Sequence, residues 1–262
     1  MSTCVANDIY SLGMLDEHAL MRFCVPLLDP LHFESALQYH CSQYQHASKV
    51  KNPQFQLDLD IYQQGKFQGR VPGPRIKGDD IIECKFTDVA LVGQTPTLII
   101  AHIMHPQDHT IDPYAHHRHR DTGVTVTHPM ILFMGMESLG SWLSAILDNA
   151  LFWGGITVQE NLESVIVVMN PYDTSMRYQV TIFGEGETKF NSEPRRLLPH
   201  SFELLKLEEL FPQLVEMKGT NRALDYSVCV SSQYSTKALY GIRHRQGGYF
   251  TTLDHLHEYC FR

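Results

Sequence analysis

The sequence lacks most of the signals that announce an enzyme. It has no Gly-x-Ser-x-Gly elbow, no P-loop, no His-Glu-x-x-His and no glycine fingerprint leading from a strand into a helix. The usual serine-nucleophile, nucleotide and zinc-protease readings therefore lose support. Its six cysteines, Cys4, Cys24, Cys41, Cys84, Cys229 and Cys260, include no Cys-x-x-Cys pair. That argues against a zinc knuckle or a thioredoxin-like motif, and for buried thiols in a reducing compartment. Long apolar runs are also missing. The most apolar segment, Met130 to Trp153, is broken by Glu137, Ser138, Ser141 and Asp148, and falls short of the roughly 18 to 20 apolar residues of a membrane span. Part of it, Ser138 to Phe152, is predicted as a packed connecting helix. The segment Met1 to Asp8 has neither a basic start nor an apolar core, so no secretory signal, no membrane insertion and a cytoplasmic location are expected. Positive charge is scarce, 21 Lys and Arg against 29 Asp and Glu. The net charge of -8 provides no general attraction to nucleic acid or anionic lipid.

What is present reads as globular: 43% apolar and 19% charged residues in a chain of 262, with glycine and proline spread throughout. The chain also repeats itself. Leu57-Asp58-Leu59-Asp60-Ile61-Tyr62 alternates apolar and polar and leads through Gly65 to Arg75-Ile76-Lys77. Tyr178-Gln179-Val180-Thr181-Ile182-Phe183 alternates likewise and leads through Gly186 to Arg196-Leu197-Leu198. Lys85-Phe86 then answers Lys206-Leu207, suggesting a strand ending in a helical turn, and Thr97 to His102 corresponds loosely to Ser227 to Ser232. The closest match is Arg118-His119-Arg120-Asp121-Thr122-Gly123 against Arg243-His244-Arg245-Gln246-Gly247-Gly248. A rare tripeptide recurring in the same order beside matched strands points to internal duplication. The stretch His105 to Pro113 is expected as an insertion confined to a surface loop of the first copy.

Short alternating runs punctuated by Gly, Pro, Asn and Asp predict antiparallel sheets packed face to face. Asn170-Pro171-Tyr172-Asp173 reads as a turn between strands at Ser164 to Met169 and Arg177 to Phe183. The predicted fold class is mainly β: two tandem, internally duplicated antiparallel β-sandwich domains over 1–135 and 153–262, joined by a helix over 136–152. The elements Phe152-Trp153-Gly154-Gly155, Val165 to Asp173, Val180 to Phe183, Pro199-His200-Ser201 and His244-Arg245 resemble the sensory rhodopsin transducer family. That resemblance implies single β-sandwich domains of about half this length that assemble as oligomers; two copies in one chain depart from that pattern.

The repeated Arg-His-Arg is the first functional candidate. On a strand its arginines face one way and its histidine the other, and paired guanidiniums hold carboxylate or phosphate by bidentate hydrogen bonds. Arg118, His119, Arg120, Arg243, His244 and Arg245 are thus candidate ligand-binding residues for an anionic small molecule or protein partner, if a pseudo-two-fold axis brings the arginines together. The alternative is a strand edge closing in a hairpin turn. The second candidate is the crowd of His102, His105, His109, His116, His117, His119 and His128. His117 and His119 share a strand face, where Glu137 or Asp121 could complete a site for a divalent metal. His255-Leu256-His257-Glu258 is a weaker cluster of the same kind. Gly69 to Arg75 reads as a loop, because prolines lack the N–H groups of a phosphate cradle. The reading is a binding or interaction protein, with a homo-oligomer expected; its alternatives are a metal-dependent enzyme using the His102 to His128 cluster and a purely structural oligomer subunit.

Overall fold

The computed structural model describes residues 18–43, 55–73, 81–86, 96–106, 109–132, 150–184, 188–217, 226–232 and 237–258. The first half runs through β1 (His18–Leu27), β2 (Phe33–Gln43), β3 (Gln56–Gln63), β4 (Lys66–Pro72), β5 (Ile81–Lys85), β6 (Thr97–Pro106), β7 (His109–His119), β8 (Thr125–Pro129) and β9 (Ile131–Leu132). The second runs through β10 (Ala150–Gly154), β11 (Leu162–Asn170), β12 (Met176–Phe183), β13 (Lys189–Asn191), β14 (Arg195–Leu197), β15 (Ser201–Lys206), β16 (Ser227–Ser232), β17 (Lys237–His244), β18 (Phe250–His255) and β19 (His257–Glu258). A single helical turn, α1 (Leu207–Leu210), and a 3-10 segment (Pro212–Met217) follow β15.

The strands form four antiparallel sheets. Sheet I has the order β4-β3-β6-β1-β9 and sheet II the order β5-β2-β7-β8; sheet III is β13-β12-β16-β10-β19 with β14 also on β12, and sheet IV is β15-β11-β17-β18. Strand for strand, III repeats the order of I and IV that of II. The alternating residues explain how each sandwich closes. Leu57, Leu59 and Ile61 of β3 enter one core with Leu37, Tyr39 and Ala115 of sheet II. Tyr178, Val180 and Ile182 of β12 enter another with Ile166, Val168 and Tyr240 of sheet IV.

A third core joins the halves. Cys24, Leu98 and Ile100 of sheet I pack with Val165, Val167, Met169 and Leu239 of sheet IV, and Phe33 and Val126 join Phe250 and Leu253 there. Strands β6 and β11 are consequently covered on both faces, which is why they read as continuous apolar runs rather than alternating ones. Burial of each such Val, Leu or Ile contributes about 1.5–3 kcal/mol. The face-to-face contact is head to tail, since sheet I of one half meets sheet IV, the counterpart of sheet II. The counterpart edge strands β8 and β18 also lie beside one another.

Several expectations change. Residues 150–154 are strand β10, so the helix expected to reach Phe152 does not do so; 133–149 lie outside the described residues, as do Glu137, Arg75 and Gly186. The expected loop from Gly69 is largely strand, because Arg70 lies in β4 opposite Asp60. The expected loop insertion at His105 to Pro113 falls mostly in β6 and β7; His105 and Pro113 are buried. Finally, β16 aligns one residue away from the loose sequence match. Ile99 faces Ile61 in β3 and Val228 faces Ile182 in β12, which matches His102 with Ser231.

Among the described residues no helix is long and apolar enough to cross a membrane.

Candidate metal centre

Both Arg-His-Arg segments end a strand and enter the same turn. His119 N–H donates to Val124 O at 2.8 Å and Gly123 N–H to His119 O at 2.8 Å; His244 N–H donates to Tyr249 O and Gly248 N–H to His244 O at the same distances. Gly123 and Gly248 hold φ of 70° and 68°, the left-handed region that a Cβ disfavours. The last arginine of each motif fastens the neighbouring loop, with Arg120 N–H donating to His32 O and Arg245 N–H to Asn161 O. The tripeptide recurs, then, as a hairpin device.

The arginines differ in their partners. Arg243 Nε donates to Glu163 Oε1 at 2.7 Å, and Arg245 pairs with both Glu163 and Glu208. Glu163 is buried, and such a carboxylate needs this compensation. An anion bound there would have to displace it. In the first half Arg118 is exposed and makes no hydrogen bond or ion pair with a described residue, and Arg120 Nε donates to Pro30 O at 3.2 Å. The structure does not gather the four arginines into one site.

The histidines separate into two groups. Along one path, Ser35 Oγ lies 2.8 Å from His117 Nδ1, His117 Nε2 lies 3.1 Å from His128 Nε2, and His128 Nδ1 lies 2.9 Å from Pro129 O. The carbonyl can only accept, so His128 carries its proton on Nδ1 and accepts at Nε2. His117 then donates from Nε2 and accepts the Ser35 hydroxyl at Nδ1. Burial holds His117 well below the ordinary imidazole range and pushes His128 down to about 4. With both nitrogens engaged, His117 is committed to the core and is not paired with His119 as a ligand. His116 spans Thr127 Oγ1 and Gln38 Oε1, each at 2.7 Å. His102 belongs to a buried cluster on the other face of sheet I, its Nε2 2.8 Å from Asp60 Oδ2, while Arg70 Nε donates to Asp60 Oδ1 at 2.6 Å. Burial raises the Asp60 pKa, but His102 and Arg70 outweigh it and hold the carboxyl below its ordinary value.

His119 instead meets His32 and Asp121. One donor atom from each lies within 4.8 Å of the others. His32 comes from the turn between β1 and β2, where Asp29 Oδ1 accepts the Leu31 N–H at 3.0 Å and Asp29 Oδ2 lies 4.0 Å from His32 Nε2. The rings of His32 and His119 are nearly parallel, 5° apart, with centroids 6.3 Å apart. His119 is buried at 3% exposure against Phe33, whereas the side chains of His32 and Asp121 are exposed. Ligands of one ion at about 2.0–2.2 Å need smaller separations, and the exposed pair can rotate inward around the fixed His119.

The second half carries the same turn without these donors. Because β2 pairs Phe33 with His119 and β11 pairs Leu162 with His244, Asn161 matches His32, Gln246 matches Asp121 and Gly247 matches Thr122. The last change adds a hydroxyl to an otherwise shared contact. His119 Nδ1 accepts the Thr122 N–H at 3.3 Å, with Thr122 Oγ1 3.1 Å away. At His244 the Gly247 N–H takes the same place at 3.0 Å, so this nitrogen is an acceptor in both turns. Sequence reasoning chose His119 and Asp121 as candidates but missed His32. Its one signal was its place in Asp29-Pro30-Leu31-His32, a turn ending beside the strand that pairs with β7.

No protein-family model matches the chain, and no curated protein matches it. The likeness to the sensory rhodopsin transducers therefore rests on its strand and turn residues alone.

Proposed function

We propose that this chain is a metal-binding β-sandwich protein whose first half holds a divalent transition-metal ion through His32, His119 and Asp121. The observation that supports it is the convergence of three donors from two turns, set against a matching turn in which each variable donor is a neutral amide. Two imidazoles and a carboxylate suit zinc, iron, manganese or nickel better than calcium or magnesium. Three protein ligands leave coordination positions open to water or to an anionic group of a ligand. Two of the donors stand in solvent, which favours ion-mediated binding over chemistry in a sealed pocket. The halves descend from one duplicated unit in this reading, with the ion-binding residues kept or acquired in one copy only; the shared strand orders and hydrogen-bonded turns support it.

The test is elemental analysis of untagged protein, followed by calorimetric titration with zinc. About one equivalent per chain is expected. The double variant His32→Asn with Asp121→Gln, which installs the second half's residues, should bind at least ~10-fold more weakly with an unchanged melting temperature in EDTA. Zinc binding that is absent, or indifferent to the double substitution, would overturn the proposal.

A further inference from the structure

Arg177 of β12 and Arg196 of β14 are direct cross-strand partners, and both are exposed. Like charges opposite one another destabilise a sheet, so the pair calls for a counter-anion. None is supplied by the described residues. Arg196 Nη2 donates to the neutral Ser175 Oγ at 3.1 Å, and Arg177 makes no hydrogen bond or ion pair with a described residue. The adjacent Arg195 shows the alternative, since it is paired with Glu203 and donates to Tyr178 OH at 3.1 Å.

The two guanidiniums, neither paired with a described carboxylate, stand in an open cleft of about 760 Å³ on the outer face of sheet III, lined also by Ser175, Gln179, Ser231 and Ser232. Among the described residues its polar lining is guanidinium, amide and hydroxyl, without a carboxylate, and its volume falls in the usual range of small-ligand sites, about 300–1,000 Å³. In the first half the matching face belongs to sheet I, which sheet IV covers at Cys24, Leu98 and Ile100, and the exposed Gln56 and half-buried Asp58 stand at the positions of Arg177 and Gln179. The arginine pair is thus peculiar to the second half.

We propose that this cleft binds a small phosphate-bearing ligand. Arg177 and Arg196 hold the phosphate oxygens by charge-assisted hydrogen bonds, and the Ser175 hydroxyl, which accepts from Arg196, donates to an oxygen that remains. The net charge of -8 opposes a long polyanion and favours a discrete one. The site is independent of the histidine cluster and stands or falls separately from it.

The experiment titrates the full chain with inorganic phosphate in EDTA, at constant ionic strength against chloride, following the melting temperature. A saturable rise is expected. Arg177→Gln and Arg196→Gln should each weaken the response at least ~10-fold, while the ligand-free variant melts no lower than the parent because a repulsion has been removed. Should either fail to fold, Arg177→Lys keeps the charge, loses bidentate geometry and is expected to bind several-fold more weakly. Lys66→Gln, on an exposed residue of β4, should leave the response intact. No saturable response in the parent, or a response that survives both arginine substitutions, overturns the proposal.

Discussion

His117 and His128 face each other Nε2 to Nε2 at 3.1 Å, with the remaining nitrogens on Ser35 Oγ and Pro129 O. Only the doubly neutral pair satisfies every atom of this chain, because a second proton would set two N–H groups against each other. Burial enforces the same state. The folded pKa of His128 is about 4, below the ordinary 6.5, so between these values the unfolded chain binds more protons than the folded one. Stability is therefore full above about pH 6.5 and is lost as the pH falls towards about 4. Urea midpoints across this window should drop for the parent, and His128→Gln should flatten the slope. A parent slope that does not respond to that change would show the pair to be irrelevant to acid stability.

The Asp60 cluster makes a stability prediction. Asp60 is 3% exposed and is held by Arg70 and His102. Replacing one member of a buried ionic cluster leaves the other charge uncompensated, at a cost of about 3–5 kcal/mol. The matching residues of the second half are Thr181 and Asn191, joined by a neutral hydrogen bond of 2.9 Å. Asp60→Asn should lower the denaturation free energy several-fold more than Thr181→Val, whose loss is one hydrogen bond of about 1 kcal/mol. Equal effects in chemical denaturation would count against this account.

The two copies of the arginine motif should behave differently. Arg243→Ala leaves the buried Glu163 with only the longer contact to Arg245 at 3.5 Å and is expected to cost about 2–4 kcal/mol. Arg118→Ala, at an exposed side chain without a described partner, should stay within about 0.5 kcal/mol. Thermal melts of the two single variants decide the matter, and a marked loss in Arg118→Ala would reveal a structural role that its surroundings do not show.

Metal loading separates the halves further. Zinc should raise the melting temperature of the parent, since an ion bound only to the folded state stabilises it by mass action. His244→Asn should leave that rise in place, and His119→Asn should remove it. A rise lost in His244→Asn would move the site to the second half.

The sequence by itself determined the strands and their order of recurrence. Alternation in Leu57–Tyr62 and Tyr178–Phe183 follows from a strand's period of two, and the Gly in each Arg-His-Arg turn follows from a φ that other residues avoid; both are local. It also held the family of candidate donors, His119 and Asp121 among them. The tertiary structure decided the rest, because each remaining question depended on residues distant in the chain. Arg70 became strand when Asp60 and His102, 10 and 32 residues away, offered it buried partners, outweighing the turn-like composition around it. Arg243 was claimed by Glu163, 80 residues distant, while Arg118 was not claimed by any described residue. His117 went to the core and His119 to a turn, although two positions apart on one strand face, because Ser35 and His128 lie beside one and His32 beside the other. Packing of sheet I on sheet IV buried much of the outer face of sheet I, while the described residues leave that of sheet III open. No local pattern encodes that choice, since it rests on the summed apolar area of two whole sheets.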